Sequence, residues 1–210
     1  MKKLIAAALL CGACIENSFA QTEKGTQSLG LSLGVSTGKS TASYRLSNTG
    51  DWGPEVTRKS TEYYIAPSYS YFISDKLDIS AGISYGHARV TSDENIYGYP
   101  LKTTSADFSG SIGLRRYFLF DNKIGIRTGP YFTYGSSRED DQRSKYFAGG
   151  LGLDFVYYPS KKIGLAASLG GISYIHERYT NYSRMTNDEF TVTLFNSLGL
   201  SFFYVIGAKN

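Results

Sequence analysis

The residues best suited to proton transfer are His87 and His176, the only two histidines in the chain. An imidazole titrates near neutrality and can activate a serine held within hydrogen-bond reach. Ser92 and Ser105 lie near His87 in sequence, and Ser173 and Glu177 lie near His176. Neither Gly86-His87-Ala88-Arg89 nor Ile175-His176-Glu177-Arg178 puts a serine two residues beyond the histidine. Exposed histidines are the simpler account, so no catalytic residue is assigned and no enzyme is expected. Carboxylates cluster at Asp93-Glu94 and at Glu139-Asp140-Asp141, without the spacing of a calcium loop. Solvated charge explains them, and no metal site is assigned. Gly149-Gly150-Leu151-Gly152 looks like a nucleotide loop, but it sits in a strand pattern with no helix after it. No cofactor is expected.

Four other charges fall on the strand faces that otherwise carry small residues: Asp78, Arg115, Arg127 and Asp154. Two arginines and two aspartates can form a buried ionic network, or each can be solvated separately. The elements that carry them decide whether they meet.

Those elements follow an export signal. Lys2 and Lys3 precede an apolar run over residues 4–13, too short for a membrane helix, and Ser18-Phe19-Ala20 has the small-x-small form of a cleavage site. Residues 1–20 are therefore expected to be a signal peptide and 21–210 one β-barrel domain. Cys14 after Gly12-Ala13 leaves a lipidated start open. Both cysteines, Cys11 and Cys14, fall within the signal, so the expected mature chain has no disulfide and no thiolate site. Without Lys2, Lys3 and Glu16, 20 basic and 17 acidic residues remain. They are mixed along the chain, which argues against a nucleic-acid partner.

Side chains alternate faces along a strand. Eight stretches have that period: residues 27–36, 61–73, 77–86, 104–118, 123–134, 144–157, 163–175 and 189–206. In the first, Leu29, Leu31, Leu33 and Val35 share one face, and only glycine and serine share the other. In the others, bulky residues likewise oppose small or ionic ones. Pro67 predicts a bulge or a locally broken ladder, and Gly170-Gly171 predicts a bulge that turns Ile172 and Tyr174 outward. Asn196 interrupts an apolar face without explanation.

Long polar connections at 37–60, 87–103, 135–143 and 176–188 alternate with tight turns near Ser74-Asp75-Lys76, Asp121-Asn122 and Pro159-Ser160-Lys161-Lys162. This is the layout of an up-and-down membrane barrel with surface loops and periplasmic turns. Aromatic residues gather at both ends of the apolar faces, as two interfacial girdles require. The expected fold is all-β, an eight-stranded antiparallel up-and-down transmembrane β-barrel.

With Leu29-Gly30-Leu31-Ser32-Leu33-Gly34-Val35 opening the barrel and Leu198-Gly199-Leu200-Ser201-Phe202-Phe203-Tyr204 closing it, the chain resembles the small outer-membrane β-barrel family of OmpA-transmembrane-domain and OmpX type, often called porin-like. The resemblance implies a Gram-negative outer membrane and recognition of the last strand by the barrel assembly machinery. Here six residues follow that strand motif and the chain ends in asparagine, unlike the family pattern.

Eight strands enclose little more than side chains, so a filled lumen is expected. Up-and-down topology brings Asp78, Arg115, Arg127 and Asp154 to the periplasmic half, where they would plug it. Both mature termini are expected in the periplasm. Tyr44 and Trp52, in the longest loop, are candidate contacts for a host or surface ligand. Membrane lipid and lipopolysaccharide are the other expected partners, and a monomer is expected. The functions left standing are a structural or surface-interaction barrel, a narrow porin-like channel, a barrel enzyme acting on lipid A, or a secreted lipocalin-like binder.

Overall fold

Alternating side chains and paired turns produce an all-β molecule in the computed structural model, which describes residues 21–45, 52–92, 101–180, 185–194 and 199–207. The expected signal, residues 1–20, lies outside the described residues, as do Cys14, Asn196 and Asp93-Glu94. The strands are β1 (Gln27–Arg45), β2 (Trp52–Ser74), β3 (Leu77–Ser92), β4 (Leu101–Phe120), β5 (Ile124–Glu139), β6 (Gln142–Tyr157), β7 (Ile163–Tyr179), β8 (Thr186–Leu194) and β9 (Leu200–Ile206). β8 and β9 pair with successive stretches of β7 and so share the eighth position. Every pairing is antiparallel between neighbours, and β9 pairs with β1 to close the barrel. The closing ladder runs from Gln27 opposite Ile206 to Leu33 opposite Leu200.

The expected loops are much shorter than the polar composition suggested. β1 and β2 stay paired from Gln27–Tyr71 up to Arg45–Trp52, so most of 37–60 is a long hairpin. β5 and β6 pair as far as Glu139 opposite Gln142. In the β1–β2 extension Ser, Thr and Lys predominate without a buried face, and backbone pairing carries the ribbon past the point where apolar patterning stops.

The prolines and glycines act locally. Pro67 sits opposite Leu31 on one side, while on the other the ladder to β3 passes from Ile65 to Ser68. Pro130 does the same: it pairs with Leu151 of β6 while the ladder to β4 is interrupted. A residue without an N–H loses its ladder on one side only. The bulge lies at Leu153/Asp154, and Gly170 there has a φ of 133°, a region that favours glycine. Asp121 and Asn122 both have positive φ, which suits a tight hairpin turn.

The orientation of the faces is decisive. Leu31 is 38% exposed, Ile83 54%, Leu151 50% and Leu200 47%, so bulky aliphatics point out from the barrel. Tyr69, Tyr71, Phe118, Phe202 and Tyr204 ring this belt toward the tight turns; Tyr63, Tyr85, Phe108, Phe132, Tyr134, Phe147 and Phe190 ring it toward the long hairpins. Glycine, serine and ionic residues face the axis along most of the barrel, joined by aromatic rings such as Tyr64, Tyr117 and Tyr146.

The core is confined to the end with the tight turns. Phe72, Tyr117, Val156, Tyr158, Ala166, Phe203 and Val205 form one buried cluster. Tyr158 meets Phe203 edge-on at 5.4 Å between ring centroids. The Phe203 ring occupies the space that a Cβ on Gly164 would fill, and the Tyr64 ring does the same over Gly34. The glycine face therefore makes room for aromatic rings from adjacent strands. Residues 21–26 lie beneath this cluster. The Gln21 side-chain amide donates to the Ser160 carbonyl at 3.0 Å, and the Lys76 amide donates to the Thr22 carbonyl at 2.7 Å. Gln21 and Thr22 are buried.

Candidate functional site

Strand register brings the four inward charges to one level. Asp78 on β3 is directly opposite Arg115 on β4, and Arg127 on β5 is directly opposite Asp154 on β6. Arg115 clasps Asp78 with Nε to Oδ1 at 2.9 Å and Nη2 to Oδ2 at 2.6 Å, a bidentate pair. Arg127 donates from Nε to Asp154 Oδ2 at 2.8 Å.

Tyr117 joins the two pairs, and it was not among the residues expected from sequence. Its hydroxyl donates to Asp78 Oδ2 at 2.9 Å and accepts from Arg127 Nη1 at 3.4 Å. The signal was its parity, since Tyr117 lies two residues beyond inward-facing Arg115. Arg127 also stacks over Phe203, its guanidinium carbon 5.6 Å from the ring centroid. Asp78 is fully buried, and its three charge-assisted or hydroxyl bonds compensate its lost hydration.

Above this layer the lumen is not filled, contrary to expectation. A polar cavity of about 470 Å³ is lined by Ser80, Ser111, Arg115, Arg127, Thr133 and Asp154, among others. Glycine and serine are too small to meet across the axis, so the space stays open. The Asp154 side chain is about a quarter exposed, at the floor of the cavity. The site is thus a floor of paired ions and aromatic rings beneath a polar chamber.

The chain is similar to the crystal structure of the outer membrane protein OprG from Pseudomonas aeruginosa. The TM-score is 0.45 and the identity 12%, over 90% of this chain and 100% of that one. No family model matches the sequence. No curated protein matches it either.

Among the described residues, neither histidine is brought together with the serines near it in sequence. The cross-strand neighbours of His176 are Phe147 and Asp188. Its Nδ1 lies 2.7 Å from Asp188 Oδ1, and its ring stacks on Phe147 at 5.0 Å. Ser173 and Glu177 differ from His176 by odd steps and face the opposite side of β7. His87 packs against Tyr63 at 5.3 Å, while Ser105 faces the lumen. Ser92 ends β3, five residues from His87 and on the opposite face. Beyond the apolar belt, Tyr174 donates its hydroxyl to Asp188 at 2.6 Å; with His176, this holds the Asp188 carboxyl below its ordinary value.

Of the acidic triplet, Asp140 accepts from the Thr104 amide at 3.0 Å and the Thr104 hydroxyl at 3.2 Å, so its carboxylate fastens a hairpin. Tyr44 and Trp52 fall near the tip of the first hairpin rather than in an irregular loop, in β1 and β2. Their side chains lie outside the described residues.

Proposed function

We propose that this chain is an integral outer-membrane barrel with an occluded lumen, a rigid anchor that holds long hairpins at the cell surface for contact with surrounding molecules. The observation that carries this reading is the bulky apolar exterior wrapped around a polar, ion-paired interior. A lipocalin-like barrel in water has the reverse arrangement. Lipid lacks hydrogen-bonding partners, and an antiparallel ladder satisfies backbone groups internally. The aromatic rows flanking the belt suit its two interfaces. The sequence resemblance to the OmpA and OmpX type supports the same placement. On this reading the tight turns and both mature termini are periplasmic, the barrel is monomeric, and the assembly machinery is its partner in biogenesis.

Occlusion rests on three superposed layers: residues 21–26, the aromatic cluster, and the Asp78–Arg115–Tyr117–Arg127–Asp154 chain. A narrow channel is the second reading, favoured by the polar chamber above them. No enzymatic role is proposed, because the histidines face away from the serines considered as their partners.

Two measurements test the proposal together. Cell fractionation and heat-modifiable gel migration should place the folded protein in the outer membrane; a soluble periplasmic product would reject that placement. Planar-bilayer recording should give no stable wide conductance; a persistent open level would replace the plug with the channel.

A further inference from the structure

The charges look mixed in sequence, but strand parity sorts most of them; Glu55 and Asp188 at outward positions and Arg58 at an inward one are the exceptions. Toward the hairpin end, Glu62, Asp107, Glu139 and Glu177 occupy lumen-facing positions. Lys39, Lys59, Arg89, Lys102, Arg138, Arg143, Lys145 and Arg178 occupy outward positions just beyond the upper aromatic row. Ile175-His176-Glu177-Arg178 illustrates the rule: His176 and Arg178 point out and Glu177 points in.

This outward collar contains an unusual pattern. Lys39 is directly opposite Lys59, Arg138 opposite Arg143, and Lys145 opposite Arg178. Like charges directly opposite one another destabilise a sheet unless an anion lies between them. The last two pairs adjoin, because Arg143 and Lys145 are two residues apart on β6. All four members of these two pairs are exposed. Among the described residues, none of the four has a carboxylate within ion-pair distance. Arg138 donates to the Asp140 carbonyl, at 2.9 Å. Of the neighbouring carboxylates, Asp188 is engaged by Tyr174 and His176 and Asp140 by Thr104, and Asp141 at the hairpin turn is also partnered.

We infer that Arg138, Arg143, Lys145 and Arg178 bind the headgroup of a doubly phosphorylated glycolipid of the lipopolysaccharide type. The inference rests on the proposed membrane placement. Each like-charge pair offers a seat for one phosphate; the seats lie on opposite sides of β6, and two residues along the strand plus one strand spacing across it separate them by roughly 8 Å before the long side chains spread. Two seats favour a headgroup with two phosphates over one with a single phosphate. The position relative to the belt fits as well. Lys145 is two residues above Phe147, and Phe147 stacks with Phe132 at 6.4 Å. Acyl chains would lie along these rings and the aliphatic belt while the phosphates reach the cations. Arginine and lysine at this height would otherwise face one another across the strands uncompensated.

The test uses the full chain folded in neutral detergent, with native mass spectrometry reading bound lipid. Three probes are compared: bis-phosphorylated lipid A, the same glycolipid with its phosphates removed, and phosphatidylglycerol. The bis-phosphorylated form should bind at least tenfold more tightly than either other probe. The Arg143→Ala, Lys145→Ala, Arg178→Ala triple variant should lose that preference. Its thermal midpoint in detergent should be unchanged or higher, because the substitutions relieve repulsion at exposed positions. Equal binding of the three probes, or undiminished preference in the triple variant, would overturn the inference. Insertion of the wild type into zwitterionic phosphatidylcholine vesicles is measured separately. Failure there would overturn the membrane placement itself, since that step does not use the collar.

Discussion

Tyr117 donates its hydroxyl to Asp78 while its ring lies 5.2 Å from that of Phe72, so one side chain belongs to both the ionic layer and the aromatic cluster. The two layers are therefore coupled. Arg115→Met should leave the fully buried Asp78 carboxylate without its cation and destabilise the barrel by roughly 3–5 kcal/mol. Tyr117→Phe removes one bond and keeps the ring, and should cost about 1–3 kcal/mol. Asp154→Ala should cost less than Arg115→Met, because water in the chamber can reach Arg127. Urea titration of heat-modifiable migration in detergent would rank the three; equal midpoints would mean the layer is not a unit.

The floor also predicts a permeability change. Phe203→Ala combined with Tyr158→Ala removes the edge-on aromatic pair and leaves the cation of Arg127 without one of its aromatic neighbours. Ionic current through planar bilayers should rise from none in the wild type to discrete openings in the double variant. A silent double variant would show that the paired ions and residues 21–26 suffice to seal the barrel.

Lipid exposure can be tested at single positions. Leu151 points outward midway along β6. Leu151→Arg should destabilise the protein by about 2–4 kcal/mol in a bilayer, as a charge at mid-depth does. The lumen-facing neighbour substitution Gly152→Ser adds a small polar group beside an open chamber and should be nearly neutral in comparison. Folding titrations in vesicles would check the contrast, and a tolerated Leu151→Arg would argue against hydrocarbon at that height.

Asp188 gives a pH signature beyond the belt. Its folded-state carboxyl value is depressed by the hydrogen bonds from Tyr174 and His176. The associated stabilisation is present above the unfolded carboxyl value, about 3.9, and is lost as pH falls through the lower folded value. Tyr174→Phe should move the Asp188 titration up toward its ordinary position, as read by NMR of the labelled carboxyl carbon. No movement would assign the depression to His176 alone.

Period-two patterning made the strands and their facing legible because the apolar and small faces differ so strongly in volume. Asp78, Arg115, Arg127 and Asp154 were visible as isolated charges on small-residue faces. Their level in the barrel followed from alternating turns. Tyr117 was obscured because tyrosine also populates the exterior rows, and only its step from Arg115 separates the two roles. The hairpin extensions were not legible: Thr41 opposite Thr57 lies between Ser40 opposite Arg58 and the lone apolar pair Ala42 opposite Val56, so no sustained hydrophobic alternation marks it as strand. The chamber escaped for a related reason. Glycine suggests crowding in sequence, but whether a ring from the next strand covers it depends on register, as with Gly34 and Tyr64.

The closing ladder pairs Gln27 with Ile206, near opposite ends of the described chain, whereas from β1 to β8 each strand pairs with the next one in sequence. Each hairpin can form from nearby residues, but this seam must bring its partners together against the largest loss of chain freedom. Closure is therefore the final and slowest event of folding, and the seam amides should be the last to gain exchange protection when the barrel refolds into vesicles. Early protection there would mean that the ends meet before the wall between them is built.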